Sequence, residues 1–252
     1  MGLPFIMVAP NGARRTKADH PALPMDLADT VNTAAACHTA GAEALHLHVR
    51  DDAGRHSLDS GRYREALAEL AVTLPGMAVQ ITTEAAGQFS VDAQLACLRE
   101  VRPGWASISV REIARDTELA ERVYGLCAAQ GTQVQHILYD RADAALLRNW
   151  LAAGIVRPSQ RSVLMVLGRY GGAGGSDPAD IAPRLADLPE GADWMVCAFG
   201  PSEHACLREA ARLGGACRVG FETAIVDVNG RAWPDNAASV LALRQSLMQV
   251  AA

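Results

Sequence analysis

Eight short apolar segments alternate with eight longer amphipathic segments along the 252 residues of the chain. The apolar segments are continuously hydrophobic, which is typical of strands that are covered on both faces in a parallel sheet. A strand followed by a helix, repeated eight times, predicts an α/β fold, a (β/α)8 TIM barrel, as one catalytic domain over residues 1–252. A doubly wound open sheet is the alternative, but no GxGxxG motif follows the first predicted strand. The predicted strands read PFIMVAP, ALHLHVR, MAVQITT, WASISV, TQVQHILY, RSVLMVL, DWMVCAF and CRVGFE.

Local signals mark where several of the predicted helices begin and end. Gly41 is positioned to end the first helix, and Asp59, Ser60 and Ser90 are candidate N-caps of the next two. One long loop, LGRYGGAGGSDP at residues 167–178, follows the sixth predicted strand and is rich in glycine. Either a lid over a ligand or a mobile connection fits this loop.

The net charge restricts which partners the protein can bind, and the cysteine content indicates its cellular compartment. The net charge of −5 provides no basic surface for nucleic acid or for an anionic membrane. No apolar run is long enough for a membrane span or a signal peptide. The six cysteines have no CxxC spacing, which indicates reduced, buried thiols in a cytoplasmic protein.

The segment ALHLHVRDDAGRHS contains two histidines that are two residues apart on a predicted strand. Side chains at i and i+2 of a strand point to the same face, so His46 and His48 project together. Leu45, Leu47 and Val49 occupy the other face, which we expect to pack against helices. The histidines then face the barrel interior at its C-terminal end, where TIM barrels carry their active sites. Two imidazoles in this position predict a divalent metal site, with zinc as the first candidate.

A third metal ligand is expected from an alternate strand, because inward side chains of one layer come from alternate strands. The last predicted strand, CRVGFE, ends in Glu222, and Arg218 has the same parity. His136 on the fifth predicted strand is the rival ligand, but that strand belongs to the other set. We therefore rank Glu222 first.

Several chemistries are excluded by residue content. Lys17 is the only lysine and follows the first strand, so neither a Schiff-base aldolase nor a lysine-bridged binuclear site is available. Cys217 begins the last predicted strand, too deep for a nucleophile. A mononuclear metal that acts as a Lewis acid on a carbonyl group remains.

The chain resembles the β-keto acid cleavage enzymes, which include 3-keto-5-aminohexanoate cleavage enzyme. Three segments carry the resemblance, and it extends over nearly the whole chain: APNGARRTKADHPALP, LHLHVRDDAGRHSLDSGRYREAL and RVGFE. The resemblance implies a zinc-dependent TIM barrel, usually a homo-oligomer (a dimer or tetramer). It also implies condensation of a β-keto acid with acetyl-CoA, which releases acetoacetate and a new acyl-CoA.

The resemblance also implies roles for particular residues. His46, His48 and Glu222 match the zinc ligands, and Arg218 matches an arginine that stabilises oxyanions; a structural ion pair is the alternative for Arg218. Hydroxyl groups that contact the substrate correspond to positions in two strands. These substrate-binding candidates are Thr82, Thr83 and Ser107.

The chain departs from the family pattern at residues that would move protons and select the substrate. Thr223 stands where the family has an aspartate, and a hydroxyl group cannot act as a base near neutral pH. We expect Glu84 to replace that aspartate, with Glu112 as the second candidate; an exposed or arginine-paired carboxylate is the alternative for Glu84. Arg14 stands where relatives that act on cationic keto acids carry a glutamate, which favours an anionic or neutral substrate tail.

Two other functions remain open at this point. One is a zinc-dependent lyase or hydrolase that does not use CoA, and the other is a barrel that binds a metal without catalysis. The changed residue at position 223 motivates the second of these alternatives.

Overall fold

The computed structural model describes residues 3–170 and 175–251, and its core is a closed barrel of parallel strands. Eight strands form the barrel: β1 (Ile6–Val8), β2 (Ala44–Leu47), β5 (Ala78–Thr82), β6 (Trp105–Ser109), β7 (Gln133–Leu138), β8 (Ser162–Leu167), β9 (Trp194–Ala198) and β10 (Ala216–Val219). Their order around the barrel is β1, β10, β9, β8, β7, β6, β5 and β2. The TIM-barrel prediction is confirmed.

A separate antiparallel hairpin lies between β2 and β5 in the sequence. It consists of β3 (Val49–Arg50) and β4 (His56–Ser57), so the predicted segment ALHLHVR is interrupted at His48. The carboxylate of Asp51 accepts hydrogen bonds from the backbone N–H groups of Ala53 and Arg55 in the connecting turn. The charged residues after the histidines therefore form a hairpin beyond the barrel.

Helices cover the barrel strands on the outside. The described helices are α1 (Leu27–Ala40), α2 (Ser60–Thr73), α3 (Val91–Val101), α4 (Val110–Ile113), α5 (Thr117–Gln130), α6 (Arg141–Ala152), α7 (Ile181–Leu185), α8 (Glu203–Arg212) and α9 (Asn236–Ala251). Gly41 ends α1 in the left-handed conformation with φ of 112°, as predicted. Asp59 and Ser90 cap α2 and α3 with their side chains, whereas Ser60 is the first residue inside α2.

Two further elements differ from the sequence-based expectation, and a third could not be compared with it. The predicted strand CRVGFE ends at Val219, because Gly220 has a φ of +139° and turns the chain. The predicted helix DPADIAPRLADL is only a 3-10 turn at Pro178–Asp180 followed by the short α7. The centre of the glycine-rich loop, residues 171–174, lies outside the described residues.

Two separate apolar layers fix which side chains reach the barrel interior. Leu45 and Leu47 belong to the large layer between strands and helices, whereas Ala44 belongs to a small cluster inside the barrel. Alternation along β2 therefore turns His46 inward, as predicted. No helix in the described part of the chain is long and apolar enough to cross a membrane.

Candidate functional site

Two histidines meet inside the barrel at the C-terminal end of β2. His46 lies on the strand and His48 follows it directly, and both side chains are buried. Their Nε2 atoms are 3.1 Å apart, and the Nδ1 atom of His46 is 2.8 Å from the Oε1 atom of Gln80. Because the amide oxygen of Gln80 accepts the Nδ1 proton, the Nε2 atom of neutral His46 carries a free lone pair.

Glu222 approaches the two histidines from a turn after β10, three residues beyond the end of the strand. Its Oε2 atom is 3.7 Å from the Nε2 atom of His46 and 3.8 Å from that of His48. The approach requires glycine at position 12, where φ is +63° and a Cβ atom would lie 2.5 Å from the Cγ atom of Glu222.

The donor set fits a zinc ion. We call His46, His48 and Glu222 the metal cluster; one ligand atom of each lies within 4.8 Å of the others. In a tetrahedral zinc site, Zn–N distances of about 2.0–2.1 Å place ligand atoms roughly 3.3 Å apart. The buried Nδ1 atom of His48 and Oε2 atom of Glu222 have no hydrogen-bond partner in the described part of the chain.

Protonation states in the metal cluster also suit a metal. Burial lowers the pKa of His46 well below its usual value, and the nearby charge of Arg218 lowers it further. Burial, followed by the neighbouring His46, does the same to the pKa of His48. Both imidazoles are therefore neutral near pH 7, which is the form that binds metal.

Arg218 supplies a buried positive charge beside the metal cluster. Its Nη2 atom is 3.2 Å from the Oε1 atom of Glu222 and 3.5 Å from the Sγ atom of Cys197. Burial by itself would lower the pKa of Arg218. The negative charge of Glu222, with smaller contributions from Cys197 and Tyr139, outweighs burial and raises this pKa above its usual value. The buried Nε and Nη1 atoms have no hydrogen-bond partner among the described residues, so they are free to bind an anion.

A cavity of about 500 Å³ opens at the same end of the barrel. Its wall includes His46, Glu222 and Arg218 together with the two carboxylates that we call the acid pair, Glu84 and Glu112. Two of the predicted metal ligands, His46 and Glu222, therefore share one cavity with both proton-transfer candidates, and the Nε2 atom of His48 lies 3.1 Å from that of His46.

The two members of the acid pair differ in their environment. Burial raises the pKa of Glu84 to about 7, with further contributions from the charges of Glu222 and Glu112. The Oε2 atom of Glu112 accepts hydrogen bonds from the backbone N–H of Ala85 and the side chain of Gln94, both at 2.9 Å. Burial raises the pKa of Glu112, while these hydrogen bonds oppose the rise. The raised pKa of Glu84 fits the predicted proton-transfer role, whereas Glu112 is engaged in hydrogen bonds with the loop after β5 and with α3.

The three predicted hydroxyl groups lie at different depths. Thr82 lines the cavity, and its Oγ1 atom accepts a hydrogen bond from the backbone N–H of Glu84 at 3.0 Å. Thr83 instead donates its hydroxyl to the backbone carbonyl of Ser107. Ser107 lies two residues deeper on β6 than Ser109, which lines the cavity.

Arginine and tyrosine side chains form the rim of the cavity. Arg14 is exposed, lines the cavity, and lies 5.5 Å above the ring of Tyr170. The hydroxyl of Tyr170 donates to the backbone carbonyl of Glu222 at 2.7 Å, and Arg169 also lines the cavity. The rim therefore carries positive charge beside the site.

Two other residues considered in the sequence, His136 as a metal ligand and Cys217 as a nucleophile, lie away from this cavity. The imidazole of His136 packs 5.2 Å from the ring of Tyr124 on α5, and its Nε2 atom is 3.0 Å from the carbonyl of Gln160. His136 therefore faces the helices, and Glu222 rather than His136 lies beside the paired histidines. Cys217 is buried and its thiol donates to the carbonyl of Leu207, so it is remote from the cavity.

Several supporting residues were not identified from the sequence. Gln80 orients His46, and the amide of Gln80 in turn donates to the Oε1 atom of Gln135 at 3.1 Å. The guanidinium group of Arg50 binds the backbone carbonyls of Ala13 and Arg15 and so fastens the loop that carries Arg14. Inward parity on β5 was a usable signal for Gln80, but the partners of Arg50 are too distant in sequence to be inferred.

A TIM barrel with a buried His2Glu cluster at its C-terminal end is the arrangement of a metal-dependent barrel enzyme. Comparison with known proteins specifies the family. The family model of the β-keto acid cleavage enzymes matches residues 4–251, and the chain belongs to this family.

Curated relatives are similar over most of their length. A 3-keto-5-aminohexanoate cleavage enzyme from Fusobacterium nucleatum is 26% identical over 226 residues, which cover 86% of this chain and 81% of the relative. A 3-oxoadipate:acetyl-CoA acetyltransferase from Cupriavidus necator is 24% identical over 246 residues, or 94% of this chain and 85% of the relative.

Among solved structures, the binary complex of ObcA with oxaloacetate is similar in fold. Its TM-score is 0.66 at 18% sequence identity, and the alignment covers 92% of this chain. The chain spans 65% of the ObcA chain, slightly less than two thirds of its length. This likeness supports the barrel fold alone.

Proposed function

We propose that this protein is a zinc-dependent acyltransferase that condenses a β-keto acid with acetyl-CoA and releases acetoacetate and a new acyl-CoA. Family membership and the acetyl-CoA acetyltransferase name of the Cupriavidus necator relative support this reaction. The observation that carries the proposal is the metal cluster, because two of its members, His46 and Glu222, line the same cavity as Arg218, whose Nε and Nη1 atoms have no hydrogen-bond partner among the described residues.

His46, His48 and Glu222 would hold the zinc ion. When bound, zinc supplies Lewis-acid chemistry, which withdraws electron density from a carbonyl oxygen and stabilises negative charge on it. The buried guanidinium group of Arg218 would bind the substrate carboxylate or a developing oxyanion nearby. Because the Oγ1 atom of Thr82 already accepts a hydrogen bond from Glu84, its O–H remains free to donate to the substrate.

Glu84 would move the protons of the reaction. Its carboxylate removes a proton from the carbon between the keto and carboxylate groups, and the carbanion attacks the thioester carbonyl of acetyl-CoA. The CoA thiolate leaves and then attacks the original keto carbon. Cleavage of the adjacent carbon–carbon bond gives the new acyl-CoA and an acetoacetate carbanion, which takes the proton back from Glu84. A pKa of about 7 suits a group that must both accept and return a proton.

The substrate tail is expected to be anionic. Arg14 and Arg169 line the rim, where a second carboxylate of a dicarboxylic β-keto acid would be attracted. The name of the Cupriavidus necator relative, which specifies 3-oxoadipate, agrees with a dicarboxylic substrate. A Glu side chain at position 14 would repel such a tail and attract a cationic one.

The test begins with metal analysis of the purified protein and continues with a panel of cationic, neutral and dicarboxylic β-keto acids. We expect about one zinc ion per chain and turnover that requires acetyl-CoA. Turnover without acetyl-CoA would instead indicate a lyase or hydrolase, and bound zinc without any turnover would indicate a non-catalytic barrel. Arg14→Glu is expected to reverse the preference between dicarboxylic and cationic substrates, and an unchanged preference would contradict the role of Arg14.

A homo-oligomer, either a dimer or a tetramer, and a cytoplasmic location belong to the same proposal. The six cysteines are all buried and free, as expected for a reducing compartment. Light scattering after size-exclusion chromatography would determine the oligomeric state.

A further inference from the structure

Glu222 is carried by a four-residue turn that directly follows β10. The backbone N–H of Thr223 donates to the carbonyl of Gly220 at 2.9 Å and closes the turn, so Glu222 is its third residue. The turn packs closely, because a Cβ atom at Gly220 would lie 2.5 Å from the carbonyl oxygen of Ala9. Side chains from outside the turn hold its middle residues, since Arg15 donates to the carbonyl of Phe221 and Asn236 accepts from its N–H. The direction of the Glu222 side chain then also depends on how the two ends of the turn are held.

A single carboxylate bridges both ends of the turn. Glu203 is the first residue of α8 and is only 1% exposed. Its Oε1 atom accepts hydrogen bonds from the backbone N–H of Gly220, at 3.3 Å, and from the hydroxyl of Thr223. Thr223 thus turns toward α8, and Glu203 contacts the first and fourth residues of the turn together.

We propose that Glu203 is a positioning residue for the metal centre: paired with Thr223, it holds the turn that directs the carboxylate of Glu222 toward His46 and His48. This inference rests on the proposed function, because the centre must bind a metal for the positioning to matter. Glu203 itself contacts neither the cavity nor the metal cluster in the described structure.

The free-energy cost of burying the carboxyl group of Glu203 indicates that its contact with the turn is not incidental. Burial raises the pKa of Glu203 to about 8, and the hydrogen bonds from Thr223 and Gly220 oppose that rise. A buried carboxyl group destabilises a fold unless its hydrogen bonds compensate. Its Oε2 atom has no hydrogen-bond partner among the described residues, so the two contacts with the turn are the side-chain hydrogen bonds that offset the cost.

The same geometry accounts for threonine at position 223. Its hydroxyl is a hydrogen-bond donor that fits a carboxylate, whereas valine has the same shape but no donor. Aspartate there would bring a second carboxyl group against the buried Glu203, and two adjacent carboxyl groups cannot both ionise in a buried place without a cost. Threonine and Glu203 therefore form a matched pair.

The first experiment measures metal binding by the full chain, with Co²⁺ as the probe. Dissociation constants come from competition with a chelator, and the visible absorption of Co²⁺ reports ligand geometry. Glu203→Ala and Thr223→Val are each expected to weaken binding by roughly 10- to 100-fold and to change the absorption, as loss of an outer hydrogen bond does at metal sites. Glu203→Gln and Thr223→Ser keep the bridging hydrogen bonds and should remain within about threefold of the wild type.

Glu209→Ala is the matched control, because Glu209 lies on the same helix and pairs only with Arg212 at the surface. It should bind Co²⁺ like the wild type. The double variant Glu203→Ala with Thr223→Val should be little worse than either single variant, because both remove the same interaction.

A second experiment tests the charge match and does not depend on truncating Glu203. Thr223→Asp should weaken Co²⁺ binding, and adding Glu203→Gln should restore it by about tenfold or more, because the amide removes one of the two adjacent buried carboxyl groups and can donate a hydrogen bond to the other. Unchanged Co²⁺ binding and absorption in Glu203→Ala and Thr223→Val would overturn the inference, as would additive losses in the double variant. In both cases the wild type still binds Co²⁺ and the proposed function survives, whereas a wild type without Co²⁺ binding would overturn both proposals.

Discussion

The metal cluster and the acid pair meet at one cavity, which His46 and Glu222 line together with Glu84 and Glu112, but the two groups are held in different ways. Every member of the metal cluster is buried, and His46 is oriented by the hydrogen bond that its Nδ1–H donates to the side chain of Gln80. Glu84 is only partly buried, and it contributes to the described hydrogen bonds mainly through its backbone. Side-chain contacts thus hold the metal cluster, whereas the carboxylate of Glu84 makes none of the described hydrogen bonds.

This difference teaches how binding and proton transfer place different demands on a site. A metal needs several ligand atoms at fixed separations, so surrounding residues must hold each ligand. A base needs a suitable pKa, which burial and neighbouring charges supply without a fixed side-chain partner. Variants of the two regions should therefore fail in different ways.

His48→Ala should produce the largest loss of bound zinc and of turnover. It removes one of three protein ligands, so we expect bound zinc to fall to a small fraction of one per chain and turnover to fall by about 10³-fold or more. Metal analysis and steady-state kinetics measure the two effects. His38→Ala, at an exposed position on α1, is the matched control and should keep its zinc. Full zinc content in His48→Ala would contradict the ligand assignment.

Arg218→Met should retain zinc but lose turnover. Methionine fills a similar volume without charge, so we expect kcat/KM to fall by about 10²- to 10³-fold, as when a preorganised oxyanion donor is removed. Arg208→Met on the exposed face of α8 controls for the substitution itself. A loss of zinc as large as that of His48→Ala would show that Arg218 supports Glu222 rather than the substrate.

Glu84→Gln should lower kcat by about 10²-fold with zinc content unchanged, because the amide cannot accept the proton. The wild-type rate should rise with pH as Glu84 deprotonates, and this acidic limb should disappear in the variant. Bound zinc is expected to move the limb below pH 7, since its positive charge favours the carboxylate. Glu112→Gln is the comparison and should have a smaller effect. Equal losses in both variants would contradict the preference for Glu84.

The metal-free protein provides an independent check of the same group by equilibrium unfolding. Burial raises the pKa of folded Glu84 to about 7, above its ordinary value of 4.5, so the folded state holds this proton more tightly than the unfolded state. The contribution of Glu84 to the free energy of unfolding should therefore fall as pH rises from about 4.5 to about 7 and then level off. Glu84→Gln should lack this decline, and a decline of the same size in the variant would assign it to another group.

Gln80→Leu should produce the smallest effect of the series. It removes the acceptor that fixes the Nδ1 proton of His46, so we expect zinc affinity to fall by about 10- to 100-fold while saturating zinc restores most of the turnover. Gln133→Leu at the exposed start of β7 is the matched control. Wild-type affinity in Gln80→Leu would show that the metal cluster is oriented without this hydrogen bond.

A feature of the site could be predicted from the sequence where it depends on neighbouring residues, and could not where it depends on residues that are far apart in the chain. Inward projection of His46 and His48 depends on the two-residue period of a strand, which the local sequence contains. The caps at Gly41 and Asp59 likewise depend on neighbouring residues. The last strand was predicted to extend to Glu222, which is too long. It ends before Gly220, whose positive φ accompanies close packing against Ala9, a residue far away in the sequence.

The amino-acid sequence by itself determined the barrel, the orientation of the paired histidines and the candidate ligand set, because hydrophobic periodicity encodes which face of each element is buried. Only the tertiary structure decided which polar atoms meet. It turned His136 toward the helices and placed Glu203 against Thr223, twenty residues along the chain. Such contacts depend on how separate elements pack in three dimensions, and no local period in the sequence carries that information.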